Sequence, residues 1–239
     1  MNIALIFAGG TGQRMNTKTT PKQFLKLHEK EIIIYTIEHF ENHPDIDAIV
    51  VSCIAQWIPY LKSILKRYGI KKVEWIVEGG STGQQSIYNA LEKIEQEYPE
   101  ESIVLIHDGV RPLINDRIIS ENIECVKKSG AAITVAPSVE TVITIKQDGD
   151  LDRISDRSAC MMAKAPQSFY VKDIISAHKR ALQENKNDFI DSASIMSHYG
   201  YQLKTVVGGY ENIKITTPSD FYIFRAIIEA KENSQIFGI

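Results

Sequence analysis

Cysteine is scarce in this chain and spaced wrongly for a framework. Cys53, Cys125 and Cys160 are its three cysteines in 239 residues. An odd number with wide gaps encodes neither a disulfide scaffold nor a cysteine metal site, and a reducing compartment is the expected setting. An excess of charge of one sign is also missing: 27 Lys and Arg stand against 30 Asp and Glu, a net charge of −3. That excludes the basic footprint of a nucleic-acid binder. No apolar run approaches the roughly 20 residues of a membrane-spanning helix. The apolar opening, residues 1–7, is too short for a signal peptide. The expectation is a soluble cytoplasmic protein without nucleic-acid or membrane partners. Internal repeats, low-complexity tracts and linkers are absent too, which points to one domain over residues 1–239.

What the chain does have is an alternation of apolar β-rich runs with helix-like stretches. Strands are expected at Ile3–Phe7, Ala48–Ile54, Val73–Val77, Ile103–Ile106, Ala131–Ala136 and Leu203–Val207. Between and after them, apolar residues recur at helical spacing over Glu31–Phe40, Trp57–Tyr68, Ser86–Glu97, Ile114–Lys128, Val171–Glu184, Asp191–Tyr199 and Ser219 to about Ala230. Continuous apolar strands in a β-α-β-α order predict an α/β, Rossmann-like, mostly parallel sheet covered by helices on both faces. Thr141–Ile145 followed by Gln147-Asp148-Gly149-Asp150 reads as a hairpin protruding from that body as a β-arm.

The chemistry concentrates directly after the first strand. Ala8-Gly9-Gly10-Thr11-Gly12-Gln13-Arg14-Met15 is followed by Pro21-Lys22-Gln23-Phe24. Glycines let the backbone approach a ligand closely, and successive N–H groups in such a loop form an anion-binding concavity. Arg14 and Lys22 add fixed positive charge, so the loop suits a triphosphate. It has neither the G-x-G-x-x-G spacing of a dinucleotide site nor the G-K-[ST] of a Walker loop. A second Gly-rich turn, Gly79-Gly80-Ser81-Thr82-Gly83, leads to Ser86, which either caps the following helix or touches a base or ribose. In His107-Asp108-Gly109-Val110-Arg111-Pro112, Asp108 sits at a strand's carboxyl end, where open α/β sheets bind ligands. It is a candidate Mg²⁺ ligand or a helix cap. Arg111 is a candidate for a forked phosphate contact or an ion pair, and His107 reads as structural. Taken alone, Lys214 between apolar residues reads as an edge lysine and Thr141 as a β former.

Together with Glu140-Thr141, Arg157, Pro166-Gln167, Asp191…Ser194 and Asn212-Ile213-Lys214-Ile215-Thr216, this ordered series resembles the family of methylerythritol-phosphate and ribitol-5-phosphate cytidylyltransferases, from residue 3 to about residue 225. The resemblance implies CTP and Mg²⁺, and a homodimer built through the arm, residues 138–160. It implies that Ala8, Gly9, Gly10 and Gly12 hold the triphosphate and that Arg14 and Lys22 neutralise it. Gly80, Ser86 and Gly109 would lie at the cytidine and Asp108 would hold Mg²⁺. Thr141, Arg157, Arg111, Lys214 and Asp191 would serve the second substrate, with Arg157 reaching across from the other subunit.

Three departures stand out: Gly83 where the family commonly has arginine, Lys164-Ala165-Pro166-Gln167 for Gln-Thr-Pro-Gln, and Ile190-Asp191-Ser192-Ala193-Ser194 in the acidic segment. Ala8-Gly9-Gly10 and the longer Arg14-to-Lys22 spacing resemble the ribitol branch. The expected activity therefore joins CTP to D-ribitol 5-phosphate, giving a CDP-polyol and pyrophosphate for a cell-wall or capsular polymer. The alternatives are 2-C-methyl-D-erythritol 4-phosphate as acceptor, in isoprenoid synthesis, and a nucleotide-binding protein without catalysis.

Overall fold

The computed structural model of the chain describes residues 1–9 and 20–237, with side chains as far as 233. In chain order the elements are β1 (Asn2–Ala8), β2 (Lys26–Leu27), β3 (Lys30–Glu31), α1 (Ile32–Asn42), β4 (Ala48–Cys53), α2 (Ile58–Arg67), β5 (Val73–Glu78) and α3 (Gly83–Glu97). There follow β6 (Ile103–Asp108), α4 (Asp116–Ser129), β7 (Ala131–Pro137), β8 (Ile143–Ile145), β9 (Leu151–Ile154), β10 (Met161–Tyr170), α5 (Val171–Gln183), α6 (Ser192–His198), β11 (Lys204–Val207) and α7 (Pro218–Phe237). Every strand and helix expected from periodicity is present. The terminal helix runs on beyond the expected Ala230, and α3 opens at Gly83, a turn earlier than Ser86.

Seven strands form the central sheet in the order β11-β7-β10-β6-β1-β4-β5. β1 pairs in parallel with β4 and with β6. The chain builds outward from β1 to β4 and β5, then returns to β1's other side as β6. That reversal opens a crevice at the carboxyl ends of β1 and β6, the usual place for a ligand in an open α/β sheet. Alternation along β1 separates two cores. Ile3 and Leu5 pack with residues of α3, α5 and α6, while Ala4, Ile6 and Ala8 pack with those of α1, α2 and α4. β4 is buried along its whole length, as a central parallel strand must be. A smaller cluster of Leu27, Ile32, Val110, Leu113, Ile215 and Phe224 fixes α7 beside the loop that follows β6.

One central strand was not expected. β10 runs antiparallel between β6 and β7. Its sequence, MMAKAPQSFY, carries Lys164 and Pro166 in the middle. A proline lacks the ladder N–H and argues against a central strand. The structure accommodates it with a bulge: Ala163 pairs with Val135 and Gln167 with Ile133, so Lys164, Ala165 and Pro166 lie opposite Thr134 alone. Thr134 Oγ1 donates to the Pro166 carbonyl at 2.7 Å, Asn122 Nδ2 donates to Thr134 Oγ1 at 2.9 Å, and Ser168 Oγ donates to Asn122 Oδ1 at 3.0 Å. Every member of this buried chain of hydrogen bonds is satisfied, which makes it a rigid anchor for the bulge.

The predicted hairpin is the antiparallel pair β8–β9, turned at Gly149, whose φ is +93°. Ile143, Ile145, Leu151 and Ile154 on it are all exposed, Ile145 by 67% and Ile154 by 62%.

Candidate active site

The floor of the crevice is where β1 and β6 end. Gly9 lies against Ser86: a Cβ built on Gly9 would stand 2.9 Å from the Phe7 ring and 3.0 Å from Ser86 Oγ. Only glycine lets β1 close on α3 here. Ser86 does not cap α3. Thr82 does, accepting from the Gln85 N–H at 3.1 Å. Ser86 sits a turn further in, where its Oγ accepts from the Gly80 N–H at 3.0 Å and donates to the Thr82 carbonyl at 2.8 Å. It thereby shapes the second Gly-rich turn and brings it beside Gly9. Gly109 closes the other side. Its N–H donates to the Phe7 carbonyl at 2.8 Å and its carbonyl accepts from Thr36 Oγ1 at 3.1 Å.

Asp108, the last residue of β6, is held between two cations. Arg111 Nε donates to its Oδ2 at 2.8 Å, and Lys214 Nζ lies 2.7 Å from its Oδ1. Burial pushes the Asp108 carboxyl up, but the charges of Lys214 and Arg111 and their hydrogen bonds outweigh it, so the group is held well below the usual carboxylate range. Arg111 also donates through Nη1 to the Asn212 carbonyl at 2.9 Å, which ties the Lys214 strap to β6. His107 is structural, as expected. Its Nε2 lies 3.2 Å from the Arg111 carbonyl and therefore carries the proton. Burial then pushes its pKa down to about 3.

The opposite wall comes from β10 and α6. Gln167 Nε2 donates to Asp191 Oδ2 at 2.9 Å, and its Oε1 accepts from the Ala193 N–H at 2.8 Å. Asp191 also accepts from the Ser194 N–H at 2.8 Å, which completes a capping box at the start of α6. Gln84 of α3 accepts from the Phe189 N–H at 3.2 Å and donates to the Lys186 carbonyl at 2.9 Å, so the loop before α6 is fastened to α3. Between these walls lies a cleft of about 260 Å³, lined among others by Asp108, Arg111, Lys164, Gln167, Asp191 and Lys214.

Of the residues singled out from sequence, Asp108, Arg111, Asp191 and Lys214 line this cleft, while Ala8, Gly9, Gly80, Ser86 and Gly109 gather next to it at the carboxyl ends of β1 and β6 and in the adjoining turn. Lys22 is buried in a short 3₁₀ turn, Lys22–Phe24, at the carboxyl end of β1. That turn is fixed by Gln23 Nε2, which donates to the Ala8 carbonyl at 2.6 Å, and by Phe24, which stacks on Trp57 at 4.8 Å. Gly10, Gly12 and Arg14 lie outside the described residues. Thr141 and Arg157 are exposed on the arm and do not line their own chain's cleft. Three residues shape the site without a role assigned to them from the sequence. Gln84 and Gln167 fasten its walls, and Lys164 had registered only as a departure from a motif. Among the described residues no three His, Cys, Asp or Glu side chains gather as a metal cage.

The family model described as 2-C-methyl-D-erythritol 4-phosphate cytidylyltransferase, IspD, matches residues 2–230. This chain belongs to that family. It is 54% identical to the ribitol-5-phosphate cytidylyltransferase of Vibrio parahaemolyticus, over all of both chains, and 48% identical to that of Streptococcus agalactiae, again over all of both. It is 37% identical to the 2-C-methyl-D-erythritol 4-phosphate cytidylyltransferase of Clostridium novyi, covering 95% of this chain and 96% of that one. In three dimensions it resembles the 4-diphosphocytidyl-2C-methyl-D-erythritol synthase of Anaerococcus prevotii, with a TM-score of 0.83 and 26% identity over 95% of this chain and 96% of that one. The chain is thus a nucleotidyltransferase of the cytidylyltransferase type. No helix among the described residues is long and apolar enough to cross a membrane.

Proposed function

We propose that this enzyme joins CTP and D-ribitol 5-phosphate, releasing pyrophosphate and CDP-ribitol for a cell-wall or capsular polymer. The observation that carries the chemistry is the pairing of Asp108 with Arg111 and Lys214 in a cleft that also holds Lys164. The choice of polyol rests on full-length relatives named for ribitol 5-phosphate. The Clostridium novyi relative supports methylerythritol 4-phosphate as the second reading.

An oxygen of the acceptor's phosphate attacks the α-phosphorus of CTP. The new O–P bond forms as the bond to the β-phosphate bridge breaks, and pyrophosphate departs with that oxygen. A phosphomonoester is largely dianionic near pH 7, its second pKa being about 6, so the step needs no general base. That accords with His107, whose proton is committed to a backbone carbonyl. Catalysis then consists of alignment and charge stabilisation. Ala8, Gly9, Gly10 and Gly12 would cradle the triphosphate, Arg14 and Lys22 would take up its charge, and Gly80, Ser86 and Gly109 would shape the cytidine pocket. Arg111, Lys214 and Asp191 would orient the acceptor. The protein would work as a cytoplasmic homodimer whose arms, residues 138–160, carry Thr141 and Arg157 to the neighbouring cleft.

Asp108 fits a Mg²⁺ site of the one-carboxylate kind, in which substrate phosphates and water complete the shell. It stays ionised, and its Oδ1 faces a lysine that a divalent cation can replace. Bound there, Mg²⁺ would neutralise phosphate charge.

Pyrophosphate release with CTP, Mg²⁺ and ribitol 5-phosphate tests the reading. The native enzyme should turn over, and Lys22→Ala should lower kcat by roughly 10²–10³-fold with an unchanged circular dichroism spectrum. Equal turnover in the variant would refute the role of Lys22.

A further inference from the structure

We propose that Lys164 binds the anionic phosphate of the acceptor beside the Arg111, Lys214 and Asp191 that orient it, and that it sets acceptor affinity. The inference deepens the reading above and rests on it. Its first ground is the balance of charge. Arg111 and Lys214 both face Asp108, and Arg111 gives its Nη1 to the Asn212 carbonyl. Lys164 lines the same half-buried space and makes no ion pair or hydrogen bond among the described residues. Burial and then the nearby Arg111 charge lower its pKa, with Glu211 opposing them only through space. A half-buried ammonium beside a second cation is unfavourable until an anion joins it. A phosphate dianion in this cleft meets that need.

The second ground is geometry. Lys164 sits in the bulge of β10, and bulges beside binding sites re-aim side chains. The backbone there is pinned from two directions. The Ala165 carbonyl accepts from Asn212 Nδ2 at 2.7 Å and the Pro166 carbonyl from Thr134 Oγ1 at 2.7 Å. Asn212 thus links the Lys164 bulge to the Arg111 guanidinium and to the Lys214 strap. Such pinning is not needed for a lysine that merely solvates a surface.

Position separates this cation from the end of β1, where the Gly-rich sequence begins. β10 is two strands removed from β1 in the sheet, about 10 Å at ordinary strand spacing. The Gly-rich loop leaves from β1, whereas Lys164 shares its side of the cleft with Gln167 and Asp191. It is therefore placed for the second substrate rather than for the nucleotide tail.

Steady-state kinetics on the full chain test this. Lys164→Gln should raise KM for ribitol 5-phosphate tenfold or more and leave KM for CTP within twofold, and Lys164→Arg should restore most of the loss. A merely structural lysine would move both KM values together or neither, and either result would overturn the assignment. A readout without turnover is the acylation of lysines, located by peptide mass spectrometry. Millimolar inorganic phosphate should protect Lys164 in the native protein, and no protection would overturn the proposal. Native enzyme that releases no pyrophosphate with ribitol 5-phosphate would sink the functional reading instead, and the footprint alone would then decide on Lys164.

Discussion

Gly109 shows how little room a single residue has at this site. A Cβ there would meet the Phe7 carbonyl at 3.2 Å, Ile6 Cγ2 at 3.3 Å and Ala8 Cβ at 3.5 Å. Backbone cannot retreat as a flexible side chain can, so Gly109→Ala should cost about 1–3 kcal/mol. At roughly 2–4 °C per kcal/mol for a chain of this size, calorimetry should show Tm lowered by several degrees. An unchanged Tm would mean that β1 and β6 are less tightly joined than described. The need for glycine here was legible only as a motif. That the group it serves is the Phe7 carbonyl is a fact of tertiary packing. Lys164 is the opposite case. It was visible as a departure, but its charge acquires meaning only once Asp108 is seen to hold Arg111 and Lys214.

At the scale of elements, helices and parallel strands were readable because each carries its own period. β10 was not, because a lysine and a proline interrupt its apolar run, and its place between β6 and β7 depends on partners far along the chain. At the start of α3 the sequence offers Ser86 as a cap, but Thr82, a turn earlier, has the geometry of one. At α6 the capping box and the Gln167 bond both depend on Asp191. Asp191→Ala should therefore destabilise the protein by about 1–2 kcal/mol and speed amide exchange in α6, whereas Asp191→Asn, a good cap, should stay close to native. Equal stability of all three proteins would show that α6 is held by packing alone.

At the scale of the whole molecule, the arm is a face that a lone chain leaves unexplained. The arm presents Ile143, Ile145, Leu151 and Ile154 to solvent, and Val139, Met161 and Met162 at its base are exposed as well. Contiguous exposed apolar surface of this kind marks an association site. On the function proposed above, a second copy of the chain covers it, so that Thr141 and Arg157 serve the neighbouring cleft. Sedimentation should show a species of twice the 26.9 kDa chain mass. Ile143→Lys with Ile154→Lys should yield a folded single chain with turnover reduced at least tenfold. A native protein that sediments as one chain and remains active would remove the arm from the mechanism.

On the function proposed above, this cleft transfers cytidylyl groups to a ribitol phosphate. Competition between acceptors tests it most directly: limiting CTP, Mg²⁺, and equal concentrations of ribitol 5-phosphate and methylerythritol 4-phosphate, with products resolved by mass. CDP-ribitol should be the dominant product, matched one for one by pyrophosphate. Dominant CDP-methylerythritol, or consumption of CTP without either product, would contradict it.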